Sequence, residues 1–232
     1  LFRSNPYKFG MVGSTDSHTS LATAQEDNFF GKHSGAEPSP DRMAHPFMKT
    51  DAGTIMGWQQ VASGLAAVWA PENTREAIFD AMERKETYAS TGPRMQVRVF
   101  AGWDFSEADL NSDDFVQLGY SKGVSMGGDL SSAAEGQAPR LMISALKDPD
   151  TGNLDRVQVI KGWLDAEGNT QEQVYDVACS GDRVVAEMRC NAAVGNTVDV
   201  ATATYTNTIG AASLKAIWTD PDFDAAQKAF YY

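Results

Sequence analysis

Apolar and polar residues alternate along much of the chain after Pro93. Met95, Val97 and Val99 alternate with polar neighbours, and side chains two residues apart lie on the same face of a strand. Further candidate strands occupy residues 141–146, 157–163, 173–179, 198–205, 214–218 and 230–232. Turn-forming residues separate some of them, at 148–153 and 165–169. Short strands divided by such turns predict an antiparallel, β-sandwich-like region over residues 93–232.

The pattern before residue 93 predicts a strand, a long loop and helices. Residues 7–13 are largely apolar and predict a buried strand, whereas residues 19–54 are rich in Gly, Pro, Ser and charge and predict a long loop. One helical face is suggested by the spacing of Trp58, Val61, Leu65 and Val68. Asn73 and Glu76 match a capping box and predict a second helix, with a buried stripe formed by Ala77, Ile78, Ala81 and Met82. The expected fold class is α+β, with residues 1–92 and 93–232 as two regions.

Composition narrows the classes of partner. The chain has 232 residues, of which 42% are hydrophobic and 22% charged, as in ordinary folded domains. We expect no membrane span, because no apolar run approaches the length that a bilayer requires. The formal net charge of −12 argues against nucleic-acid binding, which uses a basic surface. The acidity is consistent with solubility, or with attraction of cations to a metal site.

The sequence Asp16-Ser17-His18 directly follows the apolar run. At the end of a strand, residues i and i+2 project to the same side, so this carboxylate and imidazole could bind one cation. The alternative is a turn-forming Asp beside a surface His. Further ligand candidates are scarce, since His33 and His45 are the only other histidines of the chain.

Residues 13–18 (GSTDSH) resemble the last metal-binding motif of the PHP (polymerase and histidinol phosphatase) superfamily of metal-dependent phosphoesterases. A closer similarity is to uncharacterised, mostly secreted bacterial proteins that combine a PHP-like domain with a β-rich C-terminal region. The similarity also rests on residues 5–10, 87–94, 126–130, 159–163 and 199–205.

The resemblance implies that residues 1–92 are the C-terminal part, or remnant, of a PHP-like α/β barrel. It implies that Asp16 and His18 bind a divalent metal (zinc, manganese or iron) in the complete enzyme, and that the substrate is a small molecule, either a phosphoester or a related compound. The superfamily's earlier His-x-His motif is absent from this sequence. We therefore expect a fragment of a longer hydrolase that lacks catalytic competence and holds no metal unless loop residues complete the site.

The same resemblance implies a periplasmic or secreted protein, where disulfides persist. Cys179 and Cys190 are the only cysteines, and they are interpreted either as a disulfide that closes a small loop or as two buried thiols. Arg94, at the end of the motif 87–94, is a candidate contact for an anionic substrate, although a structural salt bridge explains it equally well. Lys32 and Arg42 are weaker candidates of the same kind.

Two further segments match a catalytic and a metal-binding motif in part, but they lack the surrounding residues that these motifs require. Residues 123–127 (GVSMG) fit a nucleophile elbow, but glycines follow Ser125 and no histidine lies downstream. Asp148, Asp150 and Asn153 lack the rest of an EF-hand and are interpreted as turn formers. Two functions remain, a metal-dependent hydrolase fragment that uses metal-activated water and a non-catalytic β-rich accessory or binding module.

Overall fold

The chain forms two compact units, Leu1–Arg94 and Met95–Tyr232. The computed structural model describes residues 8–20, 31–35, 37–60, 62–131 and 133–232. The fold is mixed α+β, with mostly antiparallel strands in small sheets, and the described strands form no closed barrel. No helix within the described ranges is long and apolar enough to cross a membrane.

Among its described residues, the first unit contains two small antiparallel sheets and one α-helix. Strands β1 (Pro46–Thr50) and β2 (Gly53–Met56) form a hairpin, which begins inside residues 19–54, the region predicted to be a loop. Strand β3 (Leu65–Val68) pairs with β4 (Thr87–Ser90). Helix α1 (Arg75–Glu83) lies between these two strands in sequence.

The prediction of a buried strand before Asp16 is wrong for the described part of that segment, which begins at Lys8. Residues 8–17 have no strand structure, and Phe9, Met11 and Val12 are each more than half exposed. The segment instead lies close to the β3–β4 pair: a Cβ added at Gly13 would be 2.4 Å from the Leu65 carbonyl oxygen and 2.7 Å from that of Ser90. Gly13 therefore permits this backbone approach.

The helix predicted from Trp58 to Val68 is also wrong. Gly57–Gln59 forms only a 3-10 turn, Val61 lies outside the described residues, and Leu65–Val68 is a strand. Pairing with β4 overrides the helical spacing.

The predicted second helix is confirmed, with a different cap. Thr74 is its N-cap, and its hydroxyl accepts a hydrogen bond from the Ala77 amide at 3.3 Å. Ala81 is fully buried, as expected, but Met82 is 46% exposed.

The second unit is built on two antiparallel sheets. The first has the order β14-β7-β5-β6, formed by Ser213–Thr219, Arg140–Leu146, Gln96–Gly102 and Gly123–Ser125. The second has the order β15-β8-β9, formed by Ala229–Tyr231, Arg156–Leu164 and Thr170–Cys179. These strands confirm the predicted alternation, including the closing strand near Tyr232.

Strand alternation gives the first sheet two apolar faces. One face buries Phe100 and Met142 against Phe105 and Leu110, beside helices α2 (Glu107–Leu110) and α3 (Phe115–Lys122). The opposite face carries Leu141 and Ile143, which pack with Val159 of the second sheet. The two sheets therefore meet face to face in a sandwich-like arrangement, with the helices as a third layer.

A disulfide joins Cys179 to Cys190, with 5.9 Å between their Cα atoms. It connects the end of β9 to the short hairpin β10 (Val185–Ala186) and β11 (Arg189–Cys190). The single strand predicted at 198–205 is wrong, because Val198–Asp199 (β12) pairs with Thr204–Tyr205 (β13) across a turn. The Asp199 carboxylate accepts a hydrogen bond from the Ala201 amide at 3.0 Å and stabilises this turn.

The two motifs excluded by context behave as expected. Residues 123–125 form strand β6, and a turn rather than a helix follows Ser125. The Asp148 carboxylate accepts a hydrogen bond from the Asp150 amide at 3.0 Å, which is a local turn contact.

Candidate functional site: a histidine-lined cavity

All three histidines of the chain border one cavity in the first unit. The cavity has a volume of about 380 Å³ and is lined by His18, His33, Ser34, Gly35, His45, Pro46 and Phe47. His18 and His33 are 15 residues apart in sequence, and His45 lies 12 residues further on. Because the chain has only three histidines, their convergence on one cavity makes it the candidate functional site.

A backbone bridge brings the first two histidines together. The His18 amide donates a hydrogen bond to the Lys32 carbonyl at 2.8 Å, within a parallel bridge between His18 and His33. The two ring centroids are 4.3 Å apart. The His33 ring also stacks on Phe47 at 4.9 Å, with 21° between the planes. Strand β1, which carries Phe47, thus supplies one wall of the cavity.

Asp16 and His18 meet, although no strand aligns them. Asp16 has a φ of +49°, a left-handed conformation that Asp tolerates better than most residues. Its Oδ1 lies 3.2 Å from Nε2 of His18, and its Oδ2 accepts a hydrogen bond from the Lys32 ammonium. The hydrogen bond from Lys32, and then that from His18, lowers the pKa of Asp16 below its usual value. The carboxylate is therefore held in its charged form.

The remaining histidine is oriented by a backbone group. Nδ1 of His45 lies 3.1 Å from the Asp41 carbonyl oxygen. Because a carbonyl only accepts, this bond requires the proton on Nδ1, which leaves the lone pair of the neutral ring on Nε2. Gly57 lies beside that nitrogen, since a Cβ added there would be 2.9 Å from Nε2. Such orientation by a carbonyl is usual for histidines that bind metals.

The described residues do not assemble a complete metal site. Within them, no group of three or more His, Cys, Asp or Glu side chains is positioned to hold a metal ion. The structure brings Asp16 and His18 together as a pair, with His33 and His45 as neighbours around the cavity.

The basic residues proposed to bind an anion lie elsewhere or are engaged. Arg94 is exposed and is not among the described residues that line the cavity. Lys32 is bound to Asp16. Arg42 pairs with Glu37 and donates to the Gln60 carbonyl at 2.5 Å. The sequence did not predict that Phe47 lines the cavity, because nothing in the pattern around this phenylalanine indicates which residues it contacts.

A second hollow lies beside α3 in the other unit. It is more open, with a volume of about 660 Å³, and its lining includes Asp113, Asp114 and Tyr120 but no histidine or cysteine. Although this hollow is larger, the histidine-lined cavity is the better candidate functional site because its side chains include possible metal ligands.

Comparison with known families places the whole chain in one group. A family model described as "Protein of unknown function (DUF3604)" matches residues 2–232. The chain belongs to the DUF3604 family. No curated protein and no solved structure matches the chain significantly. For this DUF3604 protein, the cavity geometry is therefore the main basis for a functional proposal.

Proposed function

We propose that this DUF3604 chain supplies part of a divalent-metal site in a hydrolase of the phosphoesterase type. The observation that carries the proposal is the convergence of all three histidines on one cavity, with Asp16 beside His18. The resemblance of residues 13–18 to the PHP motif supports the same assignment. On this view the first unit derives from a PHP-like barrel.

The Asp16–His18 pair fits a shared ion. Metal–nitrogen and metal–oxygen bonds are about 2.0–2.2 Å long, so two atoms 3.2 Å apart can both contact one ion. Loss of the Nε2 proton of His18 would convert the hydrogen-bonded pair into two ligands facing the same point. His45, whose neutral ring carries its lone pair on Nε2, lines the same cavity, but among the described residues it does not form a group of three with this pair.

The chemistry would follow from the ligand types. A bound divalent metal supplies an activated water nucleophile and polarises a phosphoryl oxygen. Asp16 and His18 would hold the ion, and Lys32 would keep Asp16 ionised at acidic pH. The stacked rings of His33 and Phe47 would exclude water from one side of the cavity.

We also propose that the protein works in the periplasm or outside the cell. The disulfide between Cys179 and Cys190 supports this location, because such bonds persist in oxidising compartments and are rare in the cytosol. Electrophoresis of the protein isolated from its native host, with thiol trapping, measures the redox state. Free thiols in the mature protein would contradict the location.

Phosphate binding by the manganese-loaded chain tests the function without requiring turnover. The chain is titrated with Mn²⁺ while water-proton relaxation is recorded, and inorganic phosphate is then followed by ³¹P line broadening. We expect broadening beyond that caused by the same concentration of free Mn²⁺, because phosphate would reach the bound ion.

The matched controls are the Asp16→Ala, His18→Ala double variant and the exposed-residue variant Lys49→Ala. Broadening should fall to the free-ion level in the double variant and stay unchanged in Lys49→Ala. Manganese binding without phosphate broadening would contradict the phosphoesterase assignment. Equal broadening in all three proteins would contradict the site itself.

A further inference from the structure

The outer face of the second sheet carries a pair of exposed aromatic rings. Phe230 and Tyr232 lie two residues apart and project to the same side, whereas Tyr231 between them packs with the inner cluster. Their ring centroids are 6.0 Å apart and their planes differ by only 16°. Phe230 is 57% exposed and Tyr232 is 48% exposed. We call these two rings the aromatic platform.

Both rings are fixed by neighbouring strands. Phe230 lies opposite Gly162, and a Cβ added at Gly162 would be 2.4 Å from the tip of its ring. The Phe230 ring therefore packs directly on the Gly162 backbone. The Tyr232 hydroxyl donates a hydrogen bond to Glu172 at 3.1 Å, and Tyr232 pairs with Ile160 through two backbone hydrogen bonds. A surface whose rings are already ordered loses little entropy when it binds a ligand.

Polar side chains surround the platform on the same face. By strand alternation, Glu172 and Asp176 of β9 and Gln158 of β8 share that face with Gly162. The Gln158 amide donates to Asp176 at 2.7 Å, and Arg189 lies 3.5 Å from the same carboxylate. Asp176 is itself buried, whereas the side chains of Glu172, Gln158 and Arg189 are exposed. These three provide both acceptors and donors, which hydroxyl-rich ligands require.

Size and charge limit the type of partner. The exposed apolar area of the two rings and Leu164 is on the order of 300 Å², well below the roughly 800 Å² per partner of a typical protein interface. A second copy of the chain is therefore poorly matched to the platform. The net charge of −12 repels polyanions, which disfavours nucleic acids and acidic polysaccharides.

We propose that the aromatic platform binds a neutral polysaccharide. The apolar C–H faces of successive sugar rings would stack on Phe230 and Tyr232, and the ring hydroxyls would bond to the exposed side chains of Glu172 and Gln158. Flat rings side by side suit an extended chain of flat sugar units, which can contact both rings at once. This binding site is independent of the histidine-lined cavity and would make the second unit a binding module.

Affinity electrophoresis tests the proposal directly, because the acidic chain migrates towards the anode in native gels. Gels are cast with hydroxyethyl cellulose, laminarin, galactomannan or soluble starch, and a further gel contains dextran sulfate. We expect retardation by at least one neutral polysaccharide and none by dextran sulfate. Phe230→Leu and Tyr232→Leu keep an apolar side chain but remove the flat ring, and each should weaken binding about tenfold.

Two control variants separate stacking from other effects. Tyr232→Phe keeps the ring and should retain most of the affinity, and Phe79→Leu removes an exposed ring of α1 and should retain all of it. Far-UV circular dichroism and urea unfolding check that each variant is folded. Binding should also persist in EDTA and in the Asp16→Ala, His18→Ala variant, so that its outcome does not depend on the proposed metal site.

The proposal is overturned if none of the four neutral polysaccharides retards the chain, or if only dextran sulfate does. It is equally overturned if folded Phe230→Leu and Tyr232→Leu bind as tightly as the unchanged chain. Self-association that both leucine variants abolish, in the absence of polysaccharide binding, would show that the platform is a dimer contact instead.

Discussion

His18 and His33 lie in one parallel backbone bridge, with their ring centroids 4.3 Å apart. The bridge also places Lys32, the residue before His33, next to Asp16. One backbone contact between segments 15 residues apart thus places two imidazoles in the cavity lining, with a carboxylate and an ammonium group bonded beside them.

Replacement of Lys32 by Met should raise the pKa of Asp16. The Lys32 hydrogen bond is the largest cause of the lowered pKa, so its loss should return the pKa towards the ordinary Asp value near 3.9. A carboxyl group whose pKa is lowered by folding stabilises the folded state at pH values above its unfolded pKa. This contribution is lost as pH falls through the folded-state pKa. Carboxyl ¹³C NMR titration measures the change. The control Lys49→Met, at an exposed position of β1, should leave the pKa of Asp16 unchanged. An unchanged Asp16 pKa in Lys32→Met would show that Lys32 does not lower it.

Replacement of the α1 cap should destabilise the first unit. Thr74→Ala removes the hydroxyl that accepts from the Ala77 amide, and loss of such a cap typically costs about 1 kcal/mol of unfolding free energy. Asn73→Ala changes the cap that the sequence pattern suggested, and it should cost much less. Urea unfolding of both variants measures the difference. A larger loss in Asn73→Ala would place the cap one residue earlier.

Removal of one partner of a buried ion pair should strongly destabilise the second unit. Lys161 Nζ lies 2.7 Å from Asp220 Oδ2, with side-chain exposures of 3% and 0%. Lys161→Met leaves the carboxylate without its cation, and breaking a buried pair on one side costs about 3–5 kcal/mol. Urea unfolding should show this loss.

Lys215→Met provides the matched comparison for that pair. Lys215 is exposed on β14, and surface substitutions usually change stability by no more than about 0.5 kcal/mol. Comparable losses in the two variants would show that the Lys161–Asp220 pair makes no special contribution.

Alkaline pH should weaken the second unit through Tyr231. Burial raises the pKa of the Tyr231 phenol, and its hydrogen bond to Asp220 at 2.6 Å raises it further. The unfolded chain therefore ionises first, and stability should fall as pH rises above about 10, the ordinary tyrosine value. Urea midpoints between pH 8 and 11 should decline less steeply in Tyr231→Phe. Tyr205→Phe should keep the original slope, and an unchanged slope in Tyr231→Phe would refute the assignment.

Strands with alternating burial were predictable from sequence, because their pattern is local. The main strands of the second unit follow from residues such as Val97 and Val99, and their faces are fixed by pleating alone. Residues 198–205 alternate in the same way, yet the turn contact from Asp199 to Ala201 divides them. Leu65–Val68 has helical spacing, yet pairing with β4 makes it a strand. Long-range pairing decides such cases, and a local pattern does not contain it.

The candidate site was predictable in part for the same reason. Asp16 and His18 are close in sequence, and any compact turn could bring their side chains together. His33 and His45 reach the cavity only through the bridge to His18 and the turn that leads into β1. Arg94 was predicted from a sequence motif, and it is not among the residues that line the cavity. A sequence motif does not determine which site a side chain faces.

The metal content of the purified chain tests most directly whether Asp16 and His18 are metal ligands. Inductively coupled plasma mass spectrometry is applied after dialysis against zinc, manganese or iron(II), beside the Asp16→Ala, His18→Ala double variant and the Lys49→Ala control. We predict bound divalent metal in the unchanged chain and in Lys49→Ala, and its loss in the double variant. Absence of metal from all three, or equal content in all three, would contradict the assignment of Asp16 and His18 as metal ligands.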